Sequence, residues 1–136
     1  MPPLRERRIP LAYDLGARAL LALPFLAWGL WRLTAAEAAI EALSGAGLAF
    51  PGAINYASAG IELMGGVLLV LGFQVWATAA VLILYLLPVT FLVHGLPAHE
   101  DPAQALQVLR DLALAGGLLL LAGVHRRDAP PSGPER

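Results

Sequence analysis

Cysteine is absent from this chain of 136 residues, and so is lysine. Without a thiol the chain forms neither a disulfide nor a thiol redox centre, and it cannot ligate a Cys-bound zinc, an iron–sulfur cluster or a thiolate haem. Histidine is nearly as scarce: His94, His99 and His125 lack the i, i+4 spacing of a metal-binding helix, and the candidate His94 is joined only by carboxylates in distant segments. Neither a metal site nor a bis-histidine haem is expected from that pattern. The chain is thus read as having no intrinsic cofactor, so any electron chemistry has to come from a bound molecule or a partner protein. Charge is sparse too, at 14% of residues against 58% hydrophobic, with a net charge of −1. The nine basic residues, all arginine, are scattered rather than gathered into a stripe, which leaves no electrostatic footprint for nucleic acid.

What fills the chain instead is apolar sequence. A transmembrane helix needs ~20 predominantly apolar residues, and four windows meet that test, residues 15–33, 53–72, 75–94 and 105–124. They predict an all-α integral membrane protein, an antiparallel four-helix bundle over residues 15–124. It is preceded by an N-terminal segment, residues 1–14, and followed by a proline-rich disordered tail, residues 125–136. The first window has the look of a signal peptide, but Trp31 and Arg32 just ahead of Thr34, Ala35 and Ala36 make a poor cleavage site, so it is read as a retained span. Between the first two spans, Glu37 and Glu41 mark a short helix on the outer surface, stopped by Gly45 and Gly47. The link Gly72-Phe73-Gln74 is so short that the second and third spans must be antiparallel neighbours.

Orientation follows from the connections. Arg5, Arg7 and Arg8 precede the first span and Arg126 and Arg127 follow the last, whereas the opposite side carries Glu37, Glu41, Glu100 and Asp101. The positive-inside rule then puts both termini in the cytoplasm. Tyr13, Phe73 and Trp76 fall at the inner interface on this reading, and Trp28, Trp31, Phe50 and Tyr56 at or near the outer one.

Within the second span stands Glu62. A carboxylate at that depth in hydrocarbon costs several kcal/mol unless it is protonated or paired, so it is expected to face the bundle interior and to mark a site. Helical steps of three and four from it meet Asn55, Ser58, Ala59, Gly65 and Gly66, all small or polar, while Leu63, Val67 and Val70 take the other side. Small residues let helices approach closely in lipid. In the first span Arg18, Ala22, Phe25, Gly29 and Arg32 share a face, with the arginines roughly 21 Å apart at the helical rise. Arg18 is read as snorkelling to headgroups. Arg32 lies at the outer end, level with His94, Arg110 and Asp111, and Glu62 lies ~13 Å below the outer start of its own helix. These residues predict a polar pocket with Glu62 at its floor, Arg32, His94, Arg110 and Asp111 about its mouth, and Asn55, Ser58, Gly65 and Gly66 along its wall. Two duller roles compete: His94 as a simple end cap, and one of Arg110 and Asp111, about 100° apart on a helix, facing headgroups. Pro24 and Pro88 are expected to bend their spans.

Ordered motifs then carry a family resemblance: Ala17-Arg18-Ala19-Leu20-Leu21 opens the first span and Gly29-Leu30-Trp31-Arg32-Leu33 closes it. Ala46-Gly47-Leu48-Ala49-Phe50-Pro51 and Ile61-Glu62-Leu63-Met64-Gly65-Gly66 mark the second, Phe91-Leu92-Val93-His94 ends the third, and Leu109-Arg110-Asp111-Leu112-Ala113 continues into Gly116-Gly117 in the fourth. Over residues 15–124 the chain resembles the DoxX family of small four-span bacterial membrane proteins. It departs from the family pattern at Arg32, where lysine is frequent, at Asp111, where asparagine is frequent, and around Trp76, where a basic residue is usual. The resemblance implies a bacterial inner-membrane location. It also implies kinship with subunits of a membrane thiosulfate:quinone oxidoreductase and with membrane partners of sulfur-transfer or oxidative-stress proteins.

The leading expectation is an accessory subunit of a membrane redox system, holding a quinone or similar small apolar ligand around Glu62, in contact with a membrane or soluble redox partner and open to self-association. No self-sufficient catalytic motif is present. A proton-coupled carrier for a small solute is the first alternative, although four short spans without repeats depart from the usual transporter plan. A structural anchor with Glu62 in a buried ion pair is the second.

Overall fold

The computed structural model describes residues 10–95 and 101–127. Its helices are α1 (Leu11–Thr34), α2 (Ala36–Gly45), α3 (Pro51–Leu71), α4 (Val75–Val89) and α5 (Pro102–Arg127). Four of them, α1, α3, α4 with its continuation, and α5, are long and apolar enough to cross a bilayer. The protein is a helical bundle built for lipid.

α1 begins four residues before the expected start of the first span, and α5 runs three residues past residue 124. The reason is the same at both ends: charged residues close a hydropathy window without ending a helix. Asp14 and Arg18 sit one turn apart on α1 with Oδ2 and Nε 3.0 Å apart, and His125 shares its Nδ1 with the Leu121 carbonyl at 3.1 Å, one turn back on α5. Residues 125–127 are therefore helical rather than part of a tail, and 11–14 belong to α1. Arg5, Arg7, Arg8, His99, Glu100 and the tail from residue 128 onward lie outside the described residues.

α3 starts on Pro51, whose fixed φ suits the first helical turn and whose missing N–H costs nothing there. It ends in a Schellman turn: Phe73 donates its N–H to Leu68 O at 3.0 Å and Gly72 to Leu69 O at 3.1 Å. Gly72 has φ of 74°, which a Cβ would strain, and the Arg18 guanidinium fills the space that a Cβ would need. Arg18 is thus buried under the end of α3 and does not snorkel to headgroups as expected.

α1 packs chiefly on α3, and α4 chiefly on α5, while α1 and α5 touch only sparsely. Glycines make the first contact close. A methyl added at Gly66 would stand 2.7 Å from Leu26, and one at Gly29 would stand 2.7 Å from Leu63. Gly65 meets Leu82 of α4 in the same manner. With no hydrophobic drive between helices in lipid, such packing is what holds them.

Two segments depart from simple spans. Beyond Pro88 the third span leaves α geometry and winds as a π-helical turn, Thr90–Gly95. Proline leaves a preceding carbonyl without its donor and so disturbs the register, and wide turns of this kind gather at functional sites. α2 does not simply lie on the surface: Ala39 and Leu43 are buried, and the helix packs on α3 and covers that end of the bundle.

Candidate functional site

Glu62 points inward, 6% exposed, and three neighbouring elements answer it. α1 brings Arg32, whose Nε donates to both carboxylate oxygens at 3.3 and 3.2 Å. α4 brings Tyr85, whose hydroxyl donates to Oε1 at 2.6 Å. Behind Arg32, Asn55 accepts from Nη1 at 3.4 Å and donates to the Arg32 backbone carbonyl at 3.0 Å, which pins the arginine to α3. Charge-assisted bonds of this kind are roughly twice as strong as neutral ones. The carboxylate is therefore paired and bonded, the condition under which an acid persists inside a membrane protein.

A second polar cluster faces the first. Asp111 of α5 is buried, and its Oδ2 accepts from the Thr90 hydroxyl at 2.9 Å. Thr90 is the first residue of the π turn. Arg110 curls back along its own helix, donating from Nη2 and Nε to Asp111 Oδ1 at 2.8 and 3.1 Å. Its guanidinium also lies over the Trp28 ring, 5.3 Å from the centroid. The expectation that one of these adjacent residues faces headgroups gives way to an arrangement in which Asp111 points in and Arg110 reaches round to it.

Between the clusters lies a cavity of about 250 Å³. Glu62, Arg32, Tyr85, Asp111, Arg110 and Gln107 supply its polar lining, and Phe25, Trp28, Trp31, Leu86 and Leu114 its apolar walls. Ala39 and Leu43 of α2 close it over. Pro24, on the wall, marks the level at which α1 borders the void. The lining holds two carboxylates and two arginines, each acid beside an arginine.

Of the expected site residues, Glu62, Arg32, Arg110 and Asp111 thus meet around one cavity. Asn55 and Ser58 are buried behind the wall, Asn55 positioning Arg32 and Ser58 beside the Tyr85 hydroxyl. Gly65 and Gly66 are not on the cavity wall. They are consumed by contacts with Leu82 and Leu26, since a glycine stripe lets helices touch and so leaves no space open there. The side chain of His94 lies outside the described residues. Among the described residues, no group of three or more His, Asp and Glu could hold a metal ion.

Tyr85 is the residue that inspection of the sequence missed. The signal was present: Glu62 stands eleven residues before Phe73 and Tyr85 twelve after it, so a tight turn there sets them side by side.

A DoxX family model matches residues 13–95. The chain belongs to the DoxX family. The matched region runs from the third residue of α1 to the π turn and includes Arg32, Glu62 and Tyr85, whereas Arg110 and Asp111 lie beyond it. Searches of curated proteins and of solved structures found no match. As a DoxX-family protein with four bilayer-length helices, it is a multi-pass membrane protein.

Proposed function

We propose that this DoxX-family protein is an accessory subunit of a membrane redox system and holds a quinone, or a neutral ring compound like it, in the cavity beside Glu62. The observation that carries the reading is the cavity itself: apolar walls with aromatic faces, and at one side a hydroxyl and a guanidinium both tied to a buried carboxylate. Its volume of about 250 Å³ exceeds the ~150 Å³ that receives a benzene ring in an engineered protein cavity. Apolar walls with a few convergent polar groups are the usual make-up of a small-molecule site.

A quinone, when bound, supplies reversible uptake of electrons and protons, which a chain without thiols cannot supply itself. The chain's own part is to bind and to position. Trp31 and Phe25 offer apolar surface for a ring, while the Trp28 ring carries the Arg110 guanidinium. Tyr85 Oη and Glu62 Oε1, 2.6 Å apart, can hold a proton between them and present it to a ring oxygen, and Arg32 keeps Glu62 turned into the cavity. The end covered by α2 is assigned to the outer face of the bacterial inner membrane, following the arginine distribution. In this cysteine-free chain, single cysteines placed in α2 and at Tyr13 would report the two sides by labelling from outside.

To test the reading, the protein is extracted from native membranes and its quinone content measured. Wild type should retain quinone, while Glu62→Gln and Tyr85→Phe should lower retention. Quinone-free wild-type protein, or indifference to both substitutions, would overturn it.

The saturation of Glu62 by Arg32 and Tyr85 supports a second reading, in which the pair only joins α1 to α3 and the protein anchors a partner. A double substitution, Arg32→Met with Glu62→Gln, separates the two. It should preserve a purely structural role and abolish ligand binding.

A further inference from the structure

The cavity lies between α1 and α5, which touch only sparsely. Their antiparallel register can be followed contact by contact. At the end of the bundle near the termini, His125 Nε2 stands 3.1 Å from Asp14 Oδ1. Farther along, Leu21 lies over Gly117, where an added Cβ would meet it at 2.8 Å. At the α2 end, Arg110 lies over Trp28. Between the last two contacts the seam carries Pro24 and Leu114, and both belong to the cavity wall.

We infer that this seam is the ligand's way in from the bilayer, and that Arg110, drawn onto Trp28 and tied to Asp111, is the latch that closes it. The inference rests on the quinone reading above and adds route and selectivity to it. Three observations carry it. At the α2 end the inner face of that helix packs over the cavity, with Ala39 2% and Leu43 4% exposed, which narrows approach from water. The latch pair is unequal: the Arg110 side chain is 39% exposed and that of Asp111 6%. Since Thr90 also holds Asp111, the guanidinium can swing out while the carboxylate stays bonded. Finally, each arginine on the wall already has its carboxylate, so the site favours a neutral ring with an apolar tail, which can trail through the seam into lipid, over a soluble anion.

The absence of cysteine makes a direct test clean. In Trp28→Cys/Arg110→Cys protein, reconstituted into liposomes, a short cleavable bis-methanethiosulfonate bridge locks the seam. Uptake of a decyl-tailed benzoquinone is followed by quenching of the remaining tryptophans, which include Trp31 on the wall. Unbridged, the variant has lost its latch and should take up quinone up to about tenfold faster than wild type, the scale set by one part-exposed cation–π contact. Bridged, it should be at least about tenfold slower than wild type, and cleaving the bridge should restore the fast rate. A bridge that leaves uptake unchanged overturns the portal while the quinone site stands. Wild-type protein that takes up no quinone overturns both. Arg110→Gln alone should release quinone faster, and release at the wild-type rate would remove Arg110 from the role of latch.

Discussion

The two ends of the bundle use the same ingredients to different effect. Near the termini, His125 Nε2 stands 3.1 Å from Asp14 Oδ1 and so links α5 to α1, while Arg18 Nε meets Asp14 Oδ2 at 3.0 Å within α1. There the side chains occupy the space between helices: the Arg18 guanidinium sits over Gly72 and Leu21 sits over Gly117. At the α2 end, Arg32 with Glu62 and Arg110 with Asp111 form comparable pairs, yet about 250 Å³ is left open beside them. Buried ion pairs therefore do not make a site by themselves. What differs is the surrounding shape: aromatics of α1 border the open volume at one end, whereas Leu21 packs on Gly117 at the other.

That contrast can be broken most severely at Arg32. Arg32→Met leaves Glu62 buried without its cation and should destabilise the protein by ~3–5 kcal/mol. Unfolding in mixed micelles would read this, and adding Glu62→Gln should recover most of the loss. If the single substitution is silent, the pair is not what steadies the α2 end.

Tyr85→Phe is the next largest, removing one bond to a charged acceptor for a cost of ~1.5–3 kcal/mol, seen as a lower denaturation midpoint together with weaker quinone retention. A loss of stability with unchanged retention would confine Tyr85 to packing. Gly66→Ala tests whether the α1–α3 contact is as close as it looks: a methyl 2.7 Å from Leu26 should cost ~1–3 kcal/mol through overpacking. The same substitution at Gly116, which has nothing within 4 Å of its would-be Cβ, should be near neutral in the same assay.

The smallest effect is expected at the other polar end. His125→Asn removes the contact to Asp14 between partly exposed side chains, a change of ~1 kcal/mol or less. It should leave quinone retention as it was. Reduced retention in that variant would show the two ends to be coupled, and the contrast drawn here would fail.

Much of this was readable in the chain. Apolar runs locate four helices because a bilayer admits few other spanning structures, and the position of Glu62 alone announced an inward-facing acid. The register of Tyr85 was legible as well, through the three-residue turn at Gly72-Phe73-Gln74. Other features were not. Helix ends at Asp14 and His125 escaped hydropathy because polar residues close an apolar window without ending a helix, and the contact between these two joins residues distant in sequence. The roles of Gly65 and Gly66 were misjudged because smallness in a sequence does not say whether a gap is left open or filled by a neighbour.

Composition and periodicity by themselves determined a lipid-embedded, cysteine-free helical bundle with one acid turned to its interior, since these depend only on local geometry and the cost of charge in hydrocarbon. Only the tertiary structure decided which arginine answers Glu62, that Arg110 folds back on Asp111 and Trp28, and where empty volume remains. Those outcomes depend on how α1, α3 and α5 pack against one another, which is set by side-chain volumes contributed from distant parts of the chain.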